Sequence, residues 1–228
     1  MIVGTRKPLA ELQEMVKPYR RLLLVGCDTC VAESASGGRR ETSELAAALE
    51  LAFRLAGMDK DIRETCVDRQ CIHEFLLEVV EAAAEAEAIL SLACGAGVQA
   101  LAARLPETPV LPALNTQFIG ETAERGLWLE NCRGCGDCVL GLTGGICPVT
   151  RCAKGLLNGP CGGARDGLCE INLAKEFNPP VPCAWLQIYD RLNSLGQQER
   201  LLEPMAPKDW SVGDSGGPRR VLRPDQRP

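Results

Sequence analysis

The strongest constraint on this chain is its cysteine content, which rises together with glycine after Trp128. The 228 residues include 13 cysteines, and ten glycines fall between Gly134 and Gly167. Long apolar runs are scarce in this stretch, so it buries too little apolar surface for a conventional core and needs cross-links. Eight cysteines are available for them, namely Cys132, Cys135, Cys138, Cys147, Cys152, Cys161, Cys169 and Cys183.

The type of cross-link follows from the expected compartment. The N-terminus shows no apolar signal segment, which predicts a cytoplasmic protein. In a reducing compartment, thiols bind metals more often than they form disulfides. Buried inert thiols are the simplest alternative, but they suit one or two cysteines rather than 13. The single histidine, His73, excludes Cys₂His₂ zinc fingers and is interpreted as a packing residue at the start of a helix.

Composition also argues against a nucleic-acid partner and against a membrane span. The net charge is −5, the sequence pI is about 5.1 and aromatic residues make up only 4 %. This balance disfavours binding to phosphate backbones or to unstacked bases, so we expect no nucleic-acid partner. No run of about 18 apolar residues exists, so no transmembrane helix is expected.

The first half alternates between short apolar runs and amphipathic segments. This alternation predicts an α/β fold with a parallel, three-layered sheet, in a Rossmann-like domain over residues 1–125. The predicted strands are 21–26, 61–67, 88–93 and 110–114, and the predicted helices are 8–20, 43–57, 71–87 and 98–104.

Cysteines follow three of these predicted strands. The carboxyl ends of parallel strands meet at one edge of a sheet, where α/β proteins gather their binding sites. We therefore predict a metal site there, holding a third 4Fe–4S cluster or one Zn²⁺, with the ligands Cys27, Cys30, Cys71 and Cys94. Cys66 lies inside a predicted strand and is interpreted as a core residue.

A dinucleotide site at the same edge is not supported. The G-x-G-x-x-A pattern from Gly95 to Ala100 follows the third predicted strand rather than the first. A dinucleotide site also needs an acidic residue after the next strand, where Asn115 and Thr116 stand instead.

In the second half, residues 126–192 are predicted to form an iron–sulfur module. The C-x₂-C-x₂-C spacing of Cys132, Cys135 and Cys138 matches the run of bacterial ferredoxins, and glycines there permit tight turns with free N–H groups. We expect two 4Fe–4S clusters on the eight cysteines. The run would share one cluster with a distant fourth ligand, and Cys147 would serve the other. Structural zinc is the alternative, although no second C-x₂-C follows in this module.

The module also resembles a known family. From Gly134 to Gly163 the sequence reads GCGDCVLGLTGGICPVTRCAKGLLNGPCGG. This segment is similar to the cysteine-rich C-terminal domain of methylenetetrahydrofolate reductases, the MetV-type small subunit of the acetogen enzyme. Further matching segments are 25–30, 69–71, 91–98, 112–116, 167–170 and 183–192.

The resemblance implies a role in one-carbon metabolism, in the Wood–Ljungdahl pathway. Such a subunit accompanies a flavin-containing catalytic subunit and is expected to carry electrons to that flavin through metal clusters, with further subunits donating them. Iron–sulfur is the expected cofactor, and zinc is also associated with such enzymes. We recognise no flavin or folate site in this sequence, so the resemblance implies a non-catalytic subunit of an oxidoreductase complex.

Two other functions are weighed against this one. A zinc-stapled adaptor would anchor the reductase in a larger redox assembly without moving electrons. A stand-alone enzyme with a cluster as Lewis acid would need acid–base groups that we cannot identify. Residues 193–228 are predicted to be an extended or disordered tail, and the sharper alternative is a segment that wraps the partner with Trp210 and Leu222 as anchors.

Overall fold

The computed structural model describes residues 1–213, 216–221, 223 and 225. The chain divides into two compact units, Met1–Leu129 and Glu130–Pro228. In the described parts of the chain, no helix combines the length and the apolarity needed to cross a membrane.

The N-terminal unit is α/β, with a parallel sheet as predicted. Four parallel strands form this sheet in the order β3-β2-β4-β5. Their bounds are Arg21–Cys27 for β2, Asp61–Val67 for β3, Ala88–Leu92 for β4 and Val110–Pro112 for β5.

Helices cover both faces of this sheet because β2 is apolar on both sides. Leu22 and Leu24 pack into a cluster that includes residues of helices α1 (Leu9–Val16) and α3 (Arg39–Leu55). Leu23 and Val25 point the other way, into a cluster with residues of α4 (Leu77–Ala82) and α5 (Gly95–Arg104). Successive strand residues face opposite sides, so a continuous apolar run needs a cover on each face.

Two predicted helices differ from those observed. Helix α1 ends at Val16 rather than at residue 20, because Pro18 has no backbone N–H with which to continue the helical hydrogen bonds. The helix predicted over 71–87 is instead α4 flanked by 3₁₀ turns at His73–Leu76 and Ala83–Glu85. Its buried residues are Leu76, Val79 and Ala83, one in each of these three pieces.

A second sheet, which the sequence pattern does not predict, joins β1 (Ile2–Arg6), β6 (Leu114–Glu124) and β7 (Leu127–Cys132) in the order β1-β6-β7. The predicted strand 110–114 is therefore divided at Ala113. The N–H of Ala113 donates to Ser91 of β4 at 2.8 Å, while its carbonyl accepts from Lys7 at 2.9 Å.

The described part of the C-terminal unit contains three short helices and long connecting loops. The helices are α6 (Pro148–Arg151), α7 (Ile171–Ala174) and α8 (Ala184–Ser194), and two 3₁₀ turns follow at Gln198–Leu202 and Trp210–Val212. Its core is small and consists of Cys183, Trp185, Ile188 and Leu192 with a few partly buried neighbours. Leu222, one of the two anchors proposed for the tail, lies outside the described residues.

Leu90→Ala tests the central packing of the sheet. Leu90 is fully buried, so the substitution should lower the free energy of unfolding by about 2–5 kcal/mol. Leu55→Ala is the matched control, because Leu55 is 81 % exposed and its loss should cost less than about 0.5 kcal/mol. Urea unfolding of the full chain, followed by circular dichroism, measures both values. Equal effects would contradict the layered core.

Candidate metal centres

Three of the predicted N-terminal ligands lie where parallel strands end. Cys27 is the last residue of β2, and Cys94 precedes α5 shortly after β4. Cys71 lies in the loop after β3, and Cys30 is the first residue of the short helix α2 (Cys30–Glu33). The sheet topology therefore brings all four segments to the same edge, as the sequence indicates.

The loop that carries Cys71 is fixed by Gln70, a fully buried residue that sequence reasoning missed. Its side-chain amide donates to the carbonyls of Val25 at 2.8 Å and Gly26 at 3.1 Å. Its carbonyl oxygen accepts from the hydroxyl of Ser91 at 2.6 Å. Gln70 thus ties the loop after β3 to both β2 and β4, and no local pattern in the sequence reveals such a contact.

Glycine at position 97 lets helix α5 approach the same loop. A Cβ there would lie 3.0 Å from the Cβ of Gln70 and 3.8 Å from the backbone nitrogen of Cys71. That Cβ would also lie 2.7 Å from the Cβ of Ala93, so any larger residue at 97 would push the helix away from Ala93 and Gln70. The close approach explains Gly97 without a dinucleotide.

The thiol of Cys27 is the deepest of the four. It is 8 % exposed and lies 3.8 Å from the main-chain oxygen of Asp68, to which it can donate. Burial raises the pKa of Cys27, and the nearby thiol of Cys94 adds to this effect.

The cysteines do not converge as ligands of a single ion would. In the described part of the chain, no three Cys, His, Asp or Glu side chains are arranged to hold one metal ion. A lone Zn²⁺ needs thiolate sulfurs at about 2.3 Å. The thiolates of a 4Fe–4S cluster bind separate irons, so they stand farther apart.

Cys66, interpreted from the sequence as a core residue, is only partly buried and belongs to neither core cluster, and the charged Asp28 lies beside it. It pairs with Gly26 across β2 and β3. Burial raises the pKa of its thiol to about 12, with the carboxylate of Asp28 as the next cause. A thiol held in the protonated form is poorly prepared to bind metal.

In the C-terminal unit, the cysteine run begins as β7 ends. The backbone N–H of Gly134 donates to the sulfur of Cys132 at 3.3 Å. The thiol of Cys135 lies 3.6 Å from the carbonyl of Asp137. Cys132 and Cys138 are exposed, so the run presents its sulfurs at the surface.

The last four cysteines of the chain line a single cavity. Cys152, Cys161, Cys169 and Cys183 surround a space of about 240 Å³. Two backbone hydrogen bonds hold the last two segments together: Cys169 donates to Val181 at 2.9 Å, and Cys183 donates to Gly167 at 2.8 Å. Cys147 is not among the lining residues, although it lies directly before α6. The sequence alone had left this grouping undetermined.

Two charged side chains also line this cavity. The ammonium group of Lys154 pairs with the carboxylate of Glu170, whose other oxygen lies 3.5 Å from the sulfur of Cys161. The ion pair and the thiol lower the pKa of Glu170, and the pKa of Lys154 is raised mainly by the same carboxylate. The cavity therefore carries balanced charge beside its thiols.

The chemistry of the two cysteine groups in the C-terminal unit fits iron–sulfur clusters. All 13 cysteines lie in the described residues and are free thiols. An N–H donor already faces the sulfur of Cys132, and the buried hydroxyl of Thr150, two residues before Cys152, has no hydrogen-bond partner. Cluster sulfurs accept hydrogen bonds from such donors.

One comparison with known proteins gives a match. Residues 111–211 match the family model described as "Methylene-tetrahydrofolate reductase C terminal". The matched range contains all eight C-terminal cysteines. No curated protein and no solved structure matches the chain.

The environment of Cys66 predicts slow alkylation. Because its pKa rises from 9.0 to about 12, its thiolate fraction at pH 8 falls by roughly 10³-fold, tenfold per pKa unit. Mass spectrometry should find that iodoacetamide labels Cys66 far more slowly in the folded chain than in urea, and faster as the pH rises toward 12.

Asp28→Asn is the matched variant for this measurement. It removes the second cause of the shift and leaves the burial, so labelling of Cys66 should become partly faster. Equal labelling rates in folded and unfolded chains would contradict the assignment.

Proposed function

Through residues 111–211 the chain belongs to the methylene-tetrahydrofolate reductase C-terminal family, and we propose that it is the iron–sulfur electron-transfer subunit of such a reductase complex. In this proposal it relays electrons to the flavin of a separate catalytic subunit. The observation that carries the proposal is the cavity lined by Cys152, Cys161, Cys169 and Cys183.

The proposed ligand sets follow from that cavity. Its four cysteines bind one 4Fe–4S cluster, and the other four, Cys132, Cys135, Cys138 and Cys147, bind a second. This revises the expectation that Cys147 serves the second group, since the cavity has four cysteines without it. A 4Fe–4S cluster accepts and releases one electron at a time, which is the chemistry that a relay needs.

A third centre is proposed in the N-terminal unit, which we interpret as Rossmann-like. Its ligands are Cys27, Cys30, Cys71 and Cys94, with 4Fe–4S favoured and zinc as the alternative. Gln70 positions the Cys71 loop against β2 and β4. A reducing compartment such as the cytoplasm suits these free thiols.

A docking surface for the catalytic subunit is proposed beside the four-cysteine cavity. An apolar groove of about 680 Å³ shares Pro160 and Trp185 with that cavity. Its lining includes Leu142 and Tyr189, which are 50 % and 51 % exposed. An exposed apolar groove is a typical protein contact site, and its position would bring the flavin close to the cluster.

Metal analysis of the anaerobically purified chain tests the proposed centres. We expect iron and acid-labile sulfide, with a visible spectrum that bleaches on reduction. The double variant Cys152→Ala/Cys169→Ala should lose one cluster, Cys132→Ala/Cys135→Ala should lose another, and the two losses should add. Cys66→Ala is the control and should keep its iron. Stoichiometric zinc without sulfide would instead favour the structural adaptor.

Electron transfer tests the relay itself. The isolated chain should not reduce methylenetetrahydrofolate, whereas the complex with the catalytic subunit should pass electrons from a reduced donor to the flavin. The variant with Cys132, Cys135 and Cys138 all replaced should lose this transfer while the complex still assembles. Full activity of the isolated chain, or unchanged transfer in that variant, would refute the relay.

Tyr189→Asp tests the groove. A carboxylate placed in an apolar contact should weaken binding of the catalytic subunit by about tenfold or more, since burying an unpaired charge is costly. Tyr189→Phe keeps the ring and should bind normally. Isothermal titration calorimetry measures both, and equal affinity of Tyr189→Asp and wild type would exclude this surface.

A further inference from the structure

A buried lysine lies against the cysteine run and has no role in the function proposed above. The side chain of Lys208 is 1 % exposed, although the sequence places it in a stretch expected to be a solvated tail. Its ammonium group donates to the main-chain carbonyl of Asp137 and lies 3.2 Å from the carboxylate of the same residue. Asp137 lies between Cys135 and Cys138 in the sequence, so the ammonium charge is held against the run of Cys132, Cys135 and Cys138.

The segment around Lys208 packs closely on this loop. A Cβ on Gly136 would lie 2.2 Å from the carbonyl oxygen of Val212, so only glycine fits there, and its φ of +82° also favours glycine. A Cβ on Gly213 would lie 3.1 Å from the carbonyl oxygen of Cys135. Residues 208–213 therefore cover the backbone of the cysteine run.

The Asp209–Ser211 contacts fix this segment independently of Lys208, whereas the Trp210 ring contact depends on Lys208 itself. The carboxylate of Asp209 accepts from the backbone N–H of Ser211 at 2.9 Å and from its hydroxyl at 2.6 Å. The ring of Trp210 lies 5.7 Å from the ammonium of Lys208 and offers its face to the cation. Substitution of Lys208 alone therefore leaves other contacts that hold the segment in place.

At the Cys135–Cys138 loop, the carboxylates around Lys208 do not cancel its positive charge. Asp137, its partner, has a side chain that is 56 % exposed, so water screens that carboxylate. The buried ammonium is screened far less, because its surroundings are of lower dielectric. Asp209 is the other carboxylate beside it, and Ser211 hydrogen-bonds to that carboxylate. The net field on the run is therefore positive.

We propose that Lys208 is a positioning residue that fixes the Cys135–Cys138 loop and raises the reduction potential of the group held by Cys132, Cys135 and Cys138. The inference rests on the proposed function, since a potential requires a bound cluster. The reduced form carries one more negative charge than the oxidised form, so a nearby buried cation stabilises it. Lys208 itself neither binds metal nor transfers a proton.

The test is a potentiometric titration of the anaerobically purified full chain, followed by electron paramagnetic resonance. The signal of interest is the one that disappears when Cys132 and Cys135 are replaced. Lys208→Met should shift its midpoint to lower potential, while iron and sulfide stay at the wild-type level. Lys208→Arg keeps the positive charge, so its midpoint should equal that of the wild type. Lys175→Met removes an exposed charge from the same unit and should leave the midpoint unchanged.

A further variant covers the case in which Lys208→Met loses the cluster. Asp137→Asn removes the counter-charge, so its midpoint should shift to higher potential, opposite in sign to that of Lys208→Met. An unchanged midpoint in Lys208→Met with full iron, or a shift of Asp137→Asn to lower potential, would overturn the inference. A wild-type chain without iron and sulfide would instead refute the proposed function.

Discussion

The structure of the N-terminal unit depends on the burial of β2 on both faces. Leu22 and Leu24 pack to one side, and Leu23 and Val25 to the other, so helices must cover each face. A parallel sheet requires crossover connections, and these return every strand in the same direction. The carboxyl ends of β2, β3 and β4 therefore share one edge, where Cys27, Cys71 and Cys94 lie.

The C-terminal unit follows a different principle. Among its described residues, the core is four buried residues with a few neighbours, and long loops connect its short helices. One of the four is Cys183, which also lines the four-cysteine cavity. Packing and proposed ligation thus meet at one residue, and helix α8 begins directly after it. A cluster bound in the cavity would cross-link loops that otherwise pack only against the small core formed by Cys183 and α8.

Charges accompany both cysteine groups of this unit, in different ways. At the four-cysteine cavity, Lys154 and Glu170 are partly exposed and pair with each other. At the cysteine run, Lys208 is buried while its partner Asp137 is exposed. Two clusters in these surroundings would be exposed to different electrostatic fields and would therefore have different reduction potentials. Unequal potentials suit a relay, since electrons then have a preferred direction.

The sequence by itself determined the parallel sheet, three of its four strands and the cysteine content of its carboxyl edge, because apolar runs and the order of elements can be read along the chain. Its segment from Gly134 to Gly163 also indicates the family whose model matches residues 111–211. Three features were decided only by tertiary contacts. The sheet of β1, β6 and β7 pairs Ile2 with Ile119, and β6 is largely exposed, so no apolar pattern marks it. Gln70 and Lys208 are polar residues whose burial depends on partners far along the chain. The grouping of Cys152, Cys161, Cys169 and Cys183 depends on loop paths that spacing does not fix, since backbone hydrogen bonds between distant segments bring these thiols together.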